Sequence, residues 1–106
     1  MIYVFLADGF EETEAIAPID MLRRAKLNVK TVGVGTKTPT SSHGIQVTAD
    51  ITTEEAQLDS ELQLIVLPGG MPGTLNLKAS DTVQKSIAFC VENKIPVGAI
   101  CAAPSI

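Results

Sequence analysis

The chain has 106 residues, 45% hydrophobic and 19% charged, ordinary values for one soluble domain at the small end for an α/β fold. A net charge of −4 and a pI near 4.8, with Lys and Arg scattered, give no electrostatic basis for binding nucleic acid or an anionic membrane. No apolar run approaches the ~18 residues of a transmembrane helix, and two cysteines without C-x-x-C spacing point to neither a disulfide framework nor a zinc site. A reducing, cytoplasmic compartment is the expectation.

IYVFLA, residues 2–7, is a continuous apolar run, as in a strand buried on both faces of a parallel sheet. DGF turns the chain, and EETEAIAPIDMLRRA reads as a helix. Its acidic first turn and its basic Arg23, Arg24 and Lys26 suit the helix dipole. Pro18 inside that pattern predicts a kink or a break. VKTVGVG, residues 29–35, is a second strand. After the polar turn TKTPTSSHG, residues 45–50 (IQVTAD) alternate like a shorter strand open on one face. Residues 53–61 read as a helical turn and loop.

LQLIVLPGG, residues 62–70, is the next buried strand and runs into a glycine-rich turn. Residues 81–93 form an amphipathic helix capped by Ser80 or Asp81, with Val83, Ile87, Phe89, Cys90 and Val91 on its apolar face. PVGAIC, residues 96–101, is a last buried strand. Strands interleaved with helices predict one domain over 1–106 built on a parallel sheet wound on both faces. Such sheets react at the carboxyl ends of their strands, where ADGFEE, PGGMPG and CAAP arrive.

AICAA has the form small-x-nucleophile-x-small, the cysteine analogue of the G-x-S-x-G elbow. The strained turn brings Ala99 and Ala103 close, so both must be small. Pro104 falls in the first turn of a following helix, where its missing N–H costs nothing. A cysteine at a helix N-terminus has a stabilised thiolate, and the Ala102 N–H points at an oxyanion formed on its target. A buried structural cysteine is the plain alternative, and the elbow setting favours the nucleophile. Cys90, mid-helix on an apolar face, reads as core, and a disulfide between the two is disfavoured in a reducing compartment.

In LPGGMPG the adjacent Gly69 and Gly70 let backbone N–H groups approach a ligand, and Gly70 is a second candidate oxyanion donor. Taken alone, the motif reads as a tight turn needing φ > 0. It is not a dinucleotide fingerprint, because its spacing is G-G-x-x-G and no acidic residue ends a next strand. Among Glu11, Glu12 and Glu14, one carboxyl beside a thiolate would have its pKa raised by desolvation and like charge. The residues alone do not choose which.

LADGFEETEAIAPIDMLRRA, LIVLPGGMPG and AICAAP, in this order, resemble the ThiJ/PfpI superfamily, in the branch of the parkinsonism-associated protein deglycase and its bacterial relatives. The resemblance implies a flavodoxin-like three-layer sandwich with a mostly parallel sheet, and a homodimer. It makes Cys101 the reactive elbow cysteine, Glu11 the protonated glutamate, and Gly70 and Ala102 the oxyanion donors, with Gly69, Ala99 and Ala103 supporting the elbow. It implies cofactor-free and metal-free chemistry on small reactive carbonyls such as methylglyoxal, or on glycated side chains. A redox-responsive sensor or chaperone using oxidation of Cys101 is the alternative, and a peptidase or amidotransferase-like hydrolase ranks last because the only histidine is His43. His43 reads as a solvent-facing turn residue rather than the family histidine. Family domains run to ~180 residues, a common single-domain size. The 106 residues are therefore expected to be the N-terminal portion, ending just after the elbow and partnered by a complementary C-terminal segment.

Overall fold

The computed structural model describes residues 1–100. Five strands form one sheet: β1 (Ile2–Ala7), β2 (Val29–Val34), β3 (Ile51–Thr52), β4 (Leu64–Leu67) and β5 (Val97–Ala99). Every pairing is parallel, and the spatial order is β3-β2-β1-β4-β5. Without the two-residue edge strand β3, the order is that of a flavodoxin-like sheet. Consecutive strands run outward from β1 in both directions, so the switch point lies between β1 and β4.

The central strand is buried along its whole length, as its unbroken apolar run predicts. Tyr3, Phe5 and Ala7 face one layer, where they join Leu77 of α2 (Gly73–Ala79) and Val83 and Cys90 of α3 (Asp81–Glu92). Ile2, Val4 and Leu6 face the other layer and join Ala15 and Ile19 of α1 (Glu12–Arg24). This period-two division of one strand between two cores makes the three-layer architecture. Among the described residues, no helix is long and apolar enough to cross a membrane.

The structure departs from the sequence expectations at several points. Of the kink or break expected at Pro18, no break occurs, and α1 runs through it. The proline removes one backbone bond to the Glu14 carbonyl, while Ala15 and Ile19 on either side stay anchored in the core. Residues 45–50 do not form a strand of the sheet. They fold back on residues 37–40, with Val47 N donating to Pro39 O (3.0 Å) and Ala49 N to Lys37 O (2.8 Å). The sheet strand is β3, immediately afterwards. Helix α2 was not anticipated, because Pro72 and Gly73 at its start read as turn residues. Val91 is 71% exposed, since the buried stripe of α3 is Val83, Ser86 and Cys90 and Val91 sits off it by one helical step.

Asp50 joins the folded-back segment to β2. Its Oδ2 accepts from the Thr31 N–H (2.9 Å) and from Arg23 (2.7 Å), and its own N–H donates to Thr31 Oγ1 (2.8 Å). Burial works to raise the Asp50 pKa, but the Thr31 N–H and the Arg23 charge outweigh it and the net shift is downward. Asp50→Ala leaves the N–H of buried Thr31 without its acceptor, so a loss of about 1–3 kcal/mol in denaturant unfolding is expected. Asp50→Asn keeps an acceptor oxygen and should lose less; equal losses would refute this role. The lowered pKa makes this contribution present above the ordinary carboxylate pKa of about 3.9 and lost as pH falls below it.

Candidate functional site

The β1 and β4 strands end side by side, and their following turns interlock. Gly9 (φ 89°) and Gly70 (φ 101°) both hold conformations that favour glycine. Glu11 N donates to Gly69 O (2.9 Å), and Gly73 N donates to Gly9 O (3.2 Å). A Cβ on Gly70 would lie 2.4 Å from Glu11 N and 2.7 Å from Gly9 O. Gly70 is therefore required for its dihedral and for the closeness of the two turns. Buried Phe10, 1% exposed, pins the first turn to the core. Asn76 of α2 donates from Nδ2 to the Asp8 carbonyl (2.7 Å) and ties α2 to the same turn.

The two glycine amides have different uses. Gly69 is buried and its N–H donates to Glu14 Oε1 (3.0 Å). No acceptor among the described residues takes the Gly70 N–H. One donor thus positions a carboxylate, while the other remains available at the switch point.

The three glutamates separate into three tasks. Glu11 is the N-cap of α1, and its Oε2 accepts from Glu14 N (2.8 Å). Glu14, at the third helical position, would in a reciprocal capping box return to the N-cap N–H. That N–H is already taken by Gly69 O, and the Glu14 carboxylate accepts from Gly69 N instead. Glu12 turns the other way, to His43: Oε2 accepts from His43 N (3.3 Å) and Oε1 bonds its Nδ1. The geometry departs from the expectation for Glu11, because its carboxylate is occupied by its own helix and Glu14 is the one that crosses to the glycine turn. The spacing of a cap and its third residue, E-x-x-E, is the sequence signal that separates them.

β5 arrives beside this pair. Ala99 is in register with Leu67, and Ile100 N donates to Leu67 O (3.2 Å), two residues before Gly69. Ala99 is small and half-buried, packed against the core. Cys101, Ala102 and Ala103 lie outside the described residues. Cys90 is wholly buried on α3, and burial pushes its thiol pKa up, as suits a core cysteine.

His43 is exposed but not a bare turn residue, given its bonds to Glu12. Among the described residues, Glu11, Glu12 and His43 bring potential ligand atoms within 4.8 Å of one another. A cation there would face the positive end of α1 and compete with the bonds to Glu14 N and His43, so the trio does not read as a metal centre.

Residues 1–106 match the DJ-1/PfpI family. The chain belongs to that family. It is 40% identical over 106 residues to Protein DJ-1 homolog B of Arabidopsis thaliana, covering 99% of this chain and 24% of the relative. It is 31% identical over 106 residues to YraA of Bacillus subtilis, by its name a candidate cysteine protease, covering 99% of this chain and 62% of the relative. A solved structure of the DJ-1 superfamily protein STM1931 from Salmonella typhimurium superposes with a TM-score of 0.92 at 34% identity, over 98% of this chain and 56% of that one. The fold is thus the flavodoxin-like DJ-1 fold. The chain spans from a quarter to about six tenths of the length of these DJ-1/PfpI relatives.

Proposed function

We propose that this chain supplies the nucleophile and the oxyanion donors of a cofactor-independent cysteine site acting on small reactive carbonyls, such as methylglyoxal, or on glycated side chains. The observation that supports it most is the Gly69–Gly70 turn, with one amide on the Glu14 carboxylate and the next unoccupied, beside the strand that leads into Cys101. The Cys101 thiolate adds to the aldehyde carbon, forming the C–S bond of a hemithioacetal. The oxygen takes up negative charge and meets the Gly70 and Ala102 N–H groups. Glu14, rather than Glu11, delivers and removes protons as the adduct rearranges and water releases the acid. Methylglyoxal plus water gives lactate, a redox-neutral sum.

The test is lactate formation from methylglyoxal by the intact protein. Glu14→Gln should lose about 10²- to 10⁴-fold in kcat, the usual contribution of a proton-transferring residue. Glu11→Gln keeps a cap acceptor and should lose far less. A larger loss for Glu11→Gln would return the role to Glu11, and no lactate above a Cys101→Ala background would end the enzyme reading.

A second reading is a redox sensor, in which Cys101 is oxidised stepwise by peroxide and the unoccupied Gly70 N–H holds the resulting sulfinate. The peptidase reading ranks behind both. It needs a histidine beside the thiolate, and among the described residues His43 pairs with Glu12 while the Gly69 N–H of the glycine turn goes to Glu14.

The relatives' greater length supports one further element of the proposal. Leu64, Val66 and Ile100 line an apolar groove of about 370 Å³ with Pro18 and Met21 of α1. A C-terminal segment of the domain covers this groove, and two such domains pair as a homodimer.

A further inference from the structure

We propose that Glu12 and His43 form a pH-dependent latch that helps hold the 40–45 loop against the turn presenting Glu11 and Glu14, tighter in mildly acidic solution and looser in alkali. The loop meets the β1–α1 turn through two backbone–backbone bonds and one backbone bond to the Asp8 side chain. Gly9 N donates to Thr40 O (2.8 Å), Ser42 N donates to Phe10 O (2.8 Å), and Thr40 N donates to Asp8 Oδ1 (2.9 Å). Within the loop, Ser41 N donates to Ile45 O (2.8 Å) and Ile45 N to Ser41 Oγ (2.9 Å), which makes it one compact unit. At its tip the His43 N–H and Nδ1 both engage Glu12.

That contact is the one place where an ionisable side chain of the loop meets α1. The charged groups facing His43 are Glu12 and, at longer range, Glu11, both at the start of α1. Its own loop offers the Ser41 and Ser42 hydroxyls, and Asp8 of the adjoining turn is turned to Thr40 N. Two carboxylates and, among the described residues, no facing cation favour the protonated imidazolium.

The bond to Glu12 raises the His43 pKa above the ordinary imidazole value. Its contribution is complete below about pH 6.5, the ordinary pKa, and is lost as pH rises through the higher native value. The Glu12 carboxyl is pulled down to about 2, first by the Ser41 hydroxyl and then by His43. Its contribution is therefore complete above the ordinary glutamate pKa, about 4.3, and is lost only in strong acid. Both contributions are whole between these limits. Because the His43 side chain is largely exposed, added salt weakens the pair.

The test is carbon-detected titration of the His43 ring in the intact protein, assigned by the signal lost in His43→Gln, together with amide exchange at Gly9 and Ser42. The His43 midpoint should lie above 6.5 and fall to the ordinary range in Glu12→Gln. After correction for intrinsic rates, protection at Ser42 should drop about two- to fivefold as His43 deprotonates, the scale of an exposed pair. That drop should be absent in His43→Gln. A midpoint at or below the ordinary value, an unchanged midpoint in Glu12→Gln, or protection indifferent to His43 would each overturn the latch. None of these readouts depends on turnover, so loss of the enzyme reading would leave the latch standing.

Discussion

On the proposed function, Cys101→Ala is expected to abolish methylglyoxal turnover, with a loss of at least about 10³-fold in kcat, while Cys90→Ala should leave turnover intact and cost about 1 kcal/mol of stability. The two cysteines differ in setting rather than in chemistry. Cys90 is sealed among the α3 side chains that pack on β1, and burial raises its thiol pKa. Cys101 follows β5 in the chain, and the end of β5 is hydrogen-bonded to Leu67, two residues before the Gly69–Gly70 turn that keeps an N–H available. Removing the sulfur would remove the proposed covalent route. If Cys90→Ala reduced turnover as much as Cys101→Ala, the assignment of roles would be wrong.

Gly70→Ala should cost about 3 kcal/mol or more of stability and remove activity with it. Its φ of 101° lies where L side chains rarely sit, and a Cβ would come within 2.9 Å of Phe10 C as well as closer to Glu11 N and Gly9 O. All three neighbours are backbone atoms, which no rotamer change can move. Relief requires the β4 turn to separate from the β1 turn. That would break the Glu11 N to Gly69 O bond and draw Glu14 off the Gly69 N–H. Gly44→Ala is the matched control: its φ is 83°, but nothing lies within 4 Å of its would-be Cβ. The control carries dihedral strain alone, about 1–2 kcal/mol. Thermal unfolding of the pair decides it, and equal losses would show that the closeness of the turns contributes nothing.

The sheet was legible because its central strands have no polar face: residues 2–7 and 64–67 can be placed only inside a two-sided sheet. Helix α3 was legible from its cap and period, with Ser80 Oγ accepting from Val83 N. The 45–50 segment misled because its alternation, with Val47 half-buried and Ala49 buried, is that of a strand. Its backbone instead bonds residues 37–40, and Asp50 supplies to Thr31 a side-chain oxygen. Two of the strand-end motifs, ADGFEE and PGGMPG, were legible as neighbours, since parallel topology fixes where they gather, while CAAP lies outside the described residues. The division of labour among the glutamates was not. It depends on which acceptor reaches Glu11 N first, and that is settled by Gly69 O, 58 positions along the chain.

The central claim is that Cys101 is an activated thiolate while Cys90 is core. Peptide-resolved alkylation of the native protein across pH 5 to 10 tests it most directly. The account predicts that Cys101 reacts with a midpoint well below the ordinary thiol value of about 8.5 and that Cys90 reacts only on unfolding. A Cys101 midpoint at or above that value, or a Cys90 that reacts as readily in the folded protein, would contradict it.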